Sequence, residues 1–214
     1  MIRSLDPLQL TGRVRTHLVE LADPGCAVHA HVAAPFAALR HAAASAGIDL
    51  VPVSAFRDFE RQLAIWNRKY EASTLPPAQR IEDILQWSAL PGQSRHHWGT
   101  DLDLIDRNAL PPGYRVGLVA AEYAPGGLFH AMSQWLEAHA ARFGFFRPYR
   151  GMRSGVQAEP WHYSFAPTAE DARRSYRPSL LAAVLAETVI GGRELILAGL
   201  DAIHARYMDA IDLP

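Results

Sequence analysis

Apolar residues recur at helical spacing in four segments before Pro167. The clearest case is 58–71, where large apolar side chains fall at i, i+4, i+7 and i+11, namely Phe59, Leu63, Trp66 and Tyr70. A single apolar stripe of this kind is typical of a helix that buries one face. Similar spacing predicts helices at 35–46, after Pro76-Pro77 and at 128–143.

Short alternating or compact apolar runs predict strands between these helices. The segments are 13–21, 49–56, 101–106 and 157–165. Side chains alternate between the two faces of a strand, so Asp101 and Asp103 share one face while Leu102 and Leu104 share the other. Pro52 cannot donate a ladder hydrogen bond, which places its strand near the edge of a sheet.

The composition of the chain changes after Pro167. Residues 179–190 and 193–208 each carry an apolar stripe, and Gly191-Gly192 separates them. This pattern predicts a helical hairpin packed on the core, with a dimer interface or a lid over a site as alternatives. We therefore expect one main domain over 1–167 and a helical extension over 168–214.

Composition and charge narrow the classes of function. The 214 residues are 49% hydrophobic, which supports a sizeable core, and the formal net charge is −1. A nearly neutral chain without basic runs argues against binding to nucleic acid. The single cysteine, Cys26, excludes an intrachain disulfide and a thiolate cluster for zinc, so a metal would need histidine and carboxylate ligands.

The beginning of the chain lacks the pattern of a secretory signal. Residues 1–7 contain no continuous apolar stretch and no small-residue cleavage pattern. No segment of the chain approaches the roughly 18 apolar residues of a transmembrane span. We therefore expect a cytoplasmic protein without a transmembrane segment, with the periplasm or cell envelope as the alternative.

Two short stretches far apart in the chain carry the residue types of a metal site. Residues 94–103 and 159–163 together supply the imidazoles of His96 and His162 and the carboxylate of Asp103. Two imidazoles and one carboxylate make a normal catalytic zinc shell, with the fourth position open for water. The same donor set also suits other divalent ions, and such a triad can hold iron.

The spacing within the first stretch requires a change of chain direction. His96 and Asp103 are seven residues apart, and an odd separation on a plain strand would put them on opposite faces. Gly99 lies between them and supplies a turn or a bulge. We expect this turn to bring the two side chains to one ion, with His162 arriving from a second strand.

Glu159 is the candidate general base. It lies three residues before His162, and Pro160 makes a continuous helix between them unfavourable. Glu159 can therefore lie beside the metal without binding it. There it would take a proton from a zinc-activated water, whose pKa falls to about 7 in such sites.

A structural role is the alternative for every histidine taken singly. Seven of them lack a neighbouring carboxylate motif and are expected to pack in or near the core, namely His17, His29, His31, His41, His130, His139 and His204. His97 should point away from the ion and support the site from behind, or pack. A purely structural domain with fortuitous histidines predicts no bound metal.

These motifs resemble those of zinc D-alanyl-D-alanine carboxypeptidases and dipeptidases of the VanY and VanX type. That group is related in fold to lysostaphin-like peptidases and to the hedgehog signalling domain. Its first motif, S-x-H-x-x-G-x-A-x-D, is matched at residues 94–103, and its second, E-x-W-H, at 159–162. A third pattern, S-G-Y-R-S-x-x-x-Q, is matched in part by Ser54, Arg57 and Gln62. The resemblance spans about 49–166.

The resemblance implies a fold and a set of roles. The fold is α+β, a small and mostly antiparallel sheet with helices packed around it. Glu159 is the catalytic base, and Arg57 polarises the scissile carbonyl. The residues implied in substrate binding are Ser94, Gln62 and Ser54. The implied zinc ligands are His96, Asp103 and His162.

One departure from the motifs bears directly on the site. Asp101 stands where the family usually has alanine, on the same strand face as Asp103. It could therefore alter the local field or compete as a ligand. An arginine-rich loop, with Arg147, Arg150 and Arg153, is a second candidate partner for a substrate carboxylate, because arginine binds carboxylates through two parallel hydrogen bonds.

The resulting hypothesis is a zinc metallopeptidase that cleaves next to a D-amino acid. The expected partner is a peptidoglycan stem peptide or a small peptide containing D-alanine, and the first choice of activity is removal of a terminal D-alanine. The enzymatic alternatives are a D-Ala-D-Ala dipeptidase, an L,D-carboxypeptidase of muropeptide recycling and a lysin-type endopeptidase. The alternative from another class is a non-catalytic zinc-binding module, which the presence of Glu159 and Arg57 disfavours.

Overall fold

The computed structural model describes residues 4–151 and 155–214, which form helices around two small sheets. The helices are α1 (Pro7–Leu10), α2 (Ala30–Ala44), α3 (Phe59–Ala72), α4 (Pro77–Leu85), α5 (Ala120–Tyr123), α6 (His130–His139), α7 (Ala166–Ser175), α8 (Pro178–Ala186), α9 (Arg193–Ala198) and α10 (Leu200–His204). The strands are β1 (Leu18–Leu21), β2 (Cys26–His29), β3 (Leu50–Ser54), β4 (Asp101–Asp106), β5 (Phe145–Phe146) and β6 (His162–Phe165).

Both sheets are antiparallel, so the predicted α+β fold is confirmed. β1 pairs with β2, and the other strands form a four-stranded sheet in the order β3-β4-β6-β5. β3 lies at an edge, as Pro52 predicted, because proline has no backbone donor for a further neighbour. β4 is central, and all six of its residues are buried. The polar and the apolar side chains of β4 therefore lie on opposite faces of the strand, and both faces are buried.

Two apolar clusters hold these elements together. The first packs α2 and α6 on the four-stranded sheet and includes Phe36 and Leu104. The second joins α3 and α4 to the C-terminal helices and includes Trp66 and Leu181. Trp98 belongs to the second cluster, and it ends a short 3-10 helix (Arg95–Trp98) that leads directly into β4. The segment carrying the first motif therefore lies between the two clusters.

The C-terminal region forms more helices than the sequence predicted. The first arm of the hairpin is α8, but the second arm is divided at Gly199 into α9 and α10, and α7 precedes both. The break between the arms lies against α3, where the indole Nε1 of Trp66 donates to the carbonyl oxygen of Gly191 over 3.0 Å. None of the helices in the described residues is long and apolar enough to cross a membrane. We keep as a proposal that 168–214 is an extension of the main domain.

The strand predicted at 157–165 is shorter in the structure. β6 begins at His162, and before it the backbone N–H of Glu159 donates to the carbonyl of Tyr149. The N–H of His162 then donates to the carbonyl of Glu159, which forms a turn across Pro160. The turn places the side chains of Glu159 and His162 on the same side, with Oε2 of Glu159 3.0 Å from Nδ1 of His162.

Candidate metal centre

The residues of the two motifs meet in a cleft of about 360 Å³. The cleft opens between the four-stranded sheet and the α3–α4 pair, and its walls carry the charged and polar side chains of both motifs. The lining residues that the sequence pattern predicted for the site are Arg57, Ser94, His96, Asp103, Glu159 and His162.

Strand register explains how three distant residues reach one place. Asp103 on β4 lies directly opposite His162 on β6, and Ser54 at the end of β3 is its partner on the other side. Directly opposed residues of an antiparallel pair have side chains on the same face of the sheet. His96 comes from the 3-10 helix, and Gly99 turns the chain so that this helix lies over the same face.

The donor atoms of this group are arranged as a metal would require. His96, Asp103 and His162 each offer one ligand atom within 4.8 Å of the others, and all three residues are buried. Nε2 of His96 and Nδ1 of His162 each lie 3.4 Å from an oxygen of Asp103. Oδ1 of Asp103 is buried without a hydrogen-bond partner in the described residues, and a cation would satisfy it.

Each imidazole is fixed by its other ring nitrogen. Nδ1 of His96 lies 2.8 Å from the carbonyl oxygen of Ala55 and can donate to it, which turns Nε2 toward Asp103. Nε2 of His162 lies 2.8 Å from Oδ1 of Asp101, which turns Nδ1 toward the same point. Carboxylates and carbonyls commonly orient metal-binding histidines in this way.

Asp101 occupies a place behind His162 and is not among the grouped donor atoms. Its Oδ1 also accepts from Nε of Arg95 over 2.8 Å, and its Oδ2 accepts from Thr100 and Ser164. The side chains of Arg95 and Asp101 are 2% and 0% exposed, so this is a fully buried ion pair. The suggestion that Asp101 competes as a ligand is therefore not supported by the geometry, because Asp101 contacts His162, a candidate ligand, on the side away from Asp103.

Three carboxylates, those of Asp101, Asp103 and Glu159, surround His162 at the centre. Burial opposes ionisation of Asp101, but Arg95 and His162 outweigh burial and hold the pKa of this carboxyl well below its usual range. Burial also opposes charge on His162, yet hydrogen bonds to Asp101 and Glu159 raise the pKa of His162 to about 10. The carboxylates that favour a proton there would equally favour a divalent cation.

Glu159 lies at the edge of the donor group. Its Oε2 is 3.0 Å from Nδ1 of His162, and its side chain is 12% exposed at the cleft. It is not one of the three grouped donors. This position beside the candidate ligands, with access to the cleft, is the one that a general base requires.

Arg57 is held by the other two residues of the third motif. Nη1 donates to Oε1 of Gln62 over 2.8 Å, and Nη2 donates to Oγ of Ser54 over 3.0 Å. The backbone is fixed as well, since Arg57 N–H donates to the carbonyl of His96. The alternative for Arg57, an ion pair with Asp58 or Glu60, is not formed among the described residues.

Ser54 and Gln62 have a different position from the predicted one. Gln62 is fully buried, and its amide also donates to the carbonyl of Ala89 over 2.7 Å. Neither residue is part of the cleft wall formed by the described residues, whereas Ser94 is. Both accept a hydrogen bond from the guanidinium group of Arg57, because the end of β3 and the first turn of α3 place them next to it. They orient this group within the structure.

The arginine-rich loop faces another direction. Arg147 and Arg150 both reach Glu137 on α6, the second over 2.6 Å, and neither lines the cleft. Arg153 lies outside the described residues. Tyr149, between them, does line the cleft and packs edge-to-face on the ring of His162 at 5.0 Å. The loop therefore contributes the ring of Tyr149 to the wall of the cleft, whereas Arg147 and Arg150 form ion pairs with Glu137 outside it.

His97 points away from the donor group, as predicted. Its Nδ1 lies 2.6 Å from the carbonyl oxygen of Arg57, and its Nε2 accepts from the N–H of Gly92. The ring is fully buried, and burial lowers the pKa of His97 to about 3. His97 therefore joins the Arg57 segment to the loop before the first motif, as a neutral ring.

Gly99 is required by the local backbone. Its φ is +68°, and a Cβ there would lie 2.6 Å from a methyl carbon of Leu18 and 2.7 Å from the backbone nitrogen of His29. The same nitrogen donates to the carbonyl of Gly99 over 2.8 Å. The β1–β2 hairpin thus packs directly on the turn that positions His96.

We expect Gly99→Ala to destabilise the fold strongly. The strained φ and the clash with backbone together should lower the free energy of unfolding by about 2–4 kcal/mol. The matched control is Gly113→Ala, where φ is +76° but nothing lies within 4 Å of the added carbon. Denaturant titration should show a cost of only about 1 kcal/mol there. Equal costs at both positions would contradict the packing argument.

Comparison with known proteins places the chain in a family. The model described as VanY, D-alanyl-D-alanine carboxypeptidase, matches residues 25–168, which is more than half of the chain. An uncharacterized protein of Haemophilus influenzae is 36% identical over 117 residues, which cover 54% of this chain and 89% of that protein.

Two solved structures resemble most of this chain. VanYB in complex with D-alanine-D-alanine aligns with a TM-score of 0.56 at 25% identity, covering 80% of this chain and 89% of that one. A vancomycin resistance D,D-pentapeptidase VanY in complex with Zn(II) aligns with a TM-score of 0.54 at 26% identity, covering 73% and 82%. Together with the sequence match, these likenesses show that the chain belongs to the VanY family of D-alanyl-D-alanine carboxypeptidases.

Proposed function

We propose that this chain is a zinc-dependent peptidase that removes a terminal D-alanine from peptidoglycan stem peptides. The observation that carries the proposal is the buried group of His96, Asp103 and His162, whose ligand atoms lie within 4.8 Å of one another beside Glu159. Support for the metal comes from the VanY neighbour that holds Zn(II), and support for the substrate from the VanYB neighbour that holds D-alanine-D-alanine.

The donor set suits zinc on chemical grounds. Two imidazoles and one carboxylate, each oriented from behind, match a catalytic zinc shell that keeps one position open. The buried Oδ1 of Asp103 has no other partner in the described residues. When bound, zinc would activate a water and polarise the scissile carbonyl. Asp103, His96 and His162 would hold it at the floor of the cleft.

The remaining steps belong to side chains of the protein. Oε2 of Glu159 would accept the proton of the attacking water and later donate it to the nitrogen of the departing D-alanine. The guanidinium of Arg57, steadied by Gln62 and Ser54, would donate to the oxygen that becomes negative during attack. Ser94 lies in the cleft wall and is 3% exposed, and its hydroxyl would donate a hydrogen bond to the substrate carboxylate.

The test is release of D-alanine by the purified protein. The substrates are D-Ala-D-Ala, a peptide ending in L-Lys-D-Ala-D-Ala, and a tetrapeptide stem, each with and without a chelator. We expect the protein to release D-alanine from the peptide that ends in L-Lys-D-Ala-D-Ala. The chelator should abolish this release, and added Zn²⁺ should restore it. Preference for the free dipeptide or for the tetrapeptide would replace the carboxypeptidase assignment by the dipeptidase or the L,D-carboxypeptidase.

Metal content measured on the same samples separates the remaining outcomes. Stoichiometric zinc without release from any substrate would contradict the carboxypeptidase and favour a binding module or an endopeptidase. Absence of bound metal after incubation with Zn²⁺ would contradict the proposed centre itself. The variant Asp103→Asn is the control for metal binding. It keeps the size of the side chain but removes the charge of one of the three grouped donors.

A further inference from the structure

Lys69 is the only lysine among the 21 basic residues of the sequence. It lies on α3, one turn after Ile65, and both residues line the cleft that holds the candidate metal centre. Its side chain is partly buried, and it shares this end of the cleft with Trp87, which is 52% exposed. The α3–α4 end of the cleft thus presents one ammonium group between two apolar side chains.

The ammonium of Lys69 forms neither an ion pair nor a hydrogen bond with any of residues 4–151 and 155–214. The other cationic side chains at the cleft are engaged. Arg57 donates to Gln62 and Ser54, and Arg95 is paired with Asp101. Lys69 is therefore a cationic group that is placed at the cleft and left free to bind something else.

The surroundings of Lys69 favour an anion. Burial, followed by the charge of Arg57, lowers the pKa of Lys69, while Glu159 and Asp83 act in the opposite direction without reaching ion-pair distance. An incoming carboxylate would relieve both of these penalties, because it pairs the ammonium in a partly desolvated place. A divalent cation bound at the centre would add positive charge to the cleft and strengthen this preference.

We propose that Lys69 binds a carboxylate of the substrate peptide that is distinct from the one at Ser94 and removed from the scissile bond. The aliphatic part of that residue would lie on Ile65 and Trp87. The enzyme would then select peptides with an acidic residue before the terminal D-alanines. This inference rests on the proposed peptidase function and narrows its substrate class.

The first test compares matched peptides that end in D-Ala-D-Ala. Glu or Gln occupies the first or the second position before the two D-alanines, so each pair differs by one negative charge. We expect the wild-type protein to prefer Glu on the order of tenfold in kcat/KM at one of these positions. Lys69→Met should bring this ratio close to one, and Lys69→Arg should restore most of it.

Arg68→Met is the control, since Arg68 is the exposed neighbour on α3 and does not line the cleft. It removes one positive charge from the same helix, and we expect the Glu/Gln ratio to stay at the wild-type value. An equal fall in Arg68→Met would indicate a general effect of net charge. Equal ratios in the wild-type protein and Lys69→Met would overturn the assignment of Lys69 while leaving the peptidase intact.

A second measurement does not depend on turnover. Because the chain has one lysine, an amine-acylating reagent followed by mass spectrometry reports on Lys69 alone, with the terminal amine as internal reference. In Glu159→Gln, the Glu peptide should protect Lys69 more strongly than its Gln counterpart. Equal protection by the two peptides would contradict the proposal. Protection without cleavage by the wild-type protein would instead contradict the peptidase function and retain the carboxylate site.

Discussion

Glu159→Gln should lower kcat by about 10²–10⁴-fold while zinc stays bound, because the variant loses the proton acceptor and keeps all three donors. The carboxylate lies 3.0 Å from His162 and is 12% exposed at the cleft, so it can reach a water that approaches the centre. The amide of glutamine has nearly the same size and cannot take the proton. Steady-state release of D-alanine, together with zinc analysis of the same protein, measures both effects.

Two further variants make this prediction specific. Asp103→Asn should lose activity and metal together, since Asp103 belongs to the donor group. Glu71→Gln, an exposed carboxylate on α3 with no described ion pair, should keep the wild-type rate and metal content. If Glu159→Gln lost zinc to the same extent as Asp103→Asn, Glu159 would be a ligand and the role of base would be wrong.

Local sequence patterns predicted the strand, the turn and the helix that carry residues of this site. The alternation in 101–106 gives β4 with the predicted bounds, and Gly99 forms the turn that the odd spacing of His96 and Asp103 required. Both signals depend on only a few neighbouring residues. The apolar stripe of 58–71 likewise predicted α3, because a helical period is a property of one segment.

Features that depend on contacts between distant elements were not predicted. Arg95 lies within the first motif, yet its hydrogen bond to Ser164 exists only because β4 and β6 are neighbours in register. Nothing in the sequence pattern indicated a functional role for Lys69, which is one of several polar residues on α3. Its place at the cleft depends on how α3 packs against α4 and the C-terminal helices. Such packing cannot be derived from the period of one segment.

Asp101→Asn should have the largest effect on stability. The substitution removes the charge that balances Arg95, whose side chain is 2% exposed, and a buried cation without a partner is costly. Breaking a buried pair by removing one partner costs about 3–5 kcal/mol, and we expect a loss of that size in the free energy of unfolding. Denaturant titration of the metal-free protein measures it.

The same substitution should loosen the candidate metal centre. His162 would lose the carboxylate that fixes its Nε2, and the loss of such a partner typically weakens metal binding by about 10–100-fold. Asp106→Asn is the control, because Asp106 lies on the same strand, accepts the backbone N–H of Asp49 and forms no described ion pair. Its effect on zinc affinity should be negligible, and its cost in stability about 1 kcal/mol.

Arg95→Met combined with Asp101→Asn separates the two roles of Asp101. If the unbalanced charge of Arg95 causes the instability, removing it should recover a large part of the lost free energy of unfolding, as replacement of whole buried pairs often does. Zinc affinity should stay low in the double variant, because the support of His162 is still missing. Recovery of both quantities would contradict a direct role of Asp101 in orienting His162 and would assign its effect on the metal to stability alone.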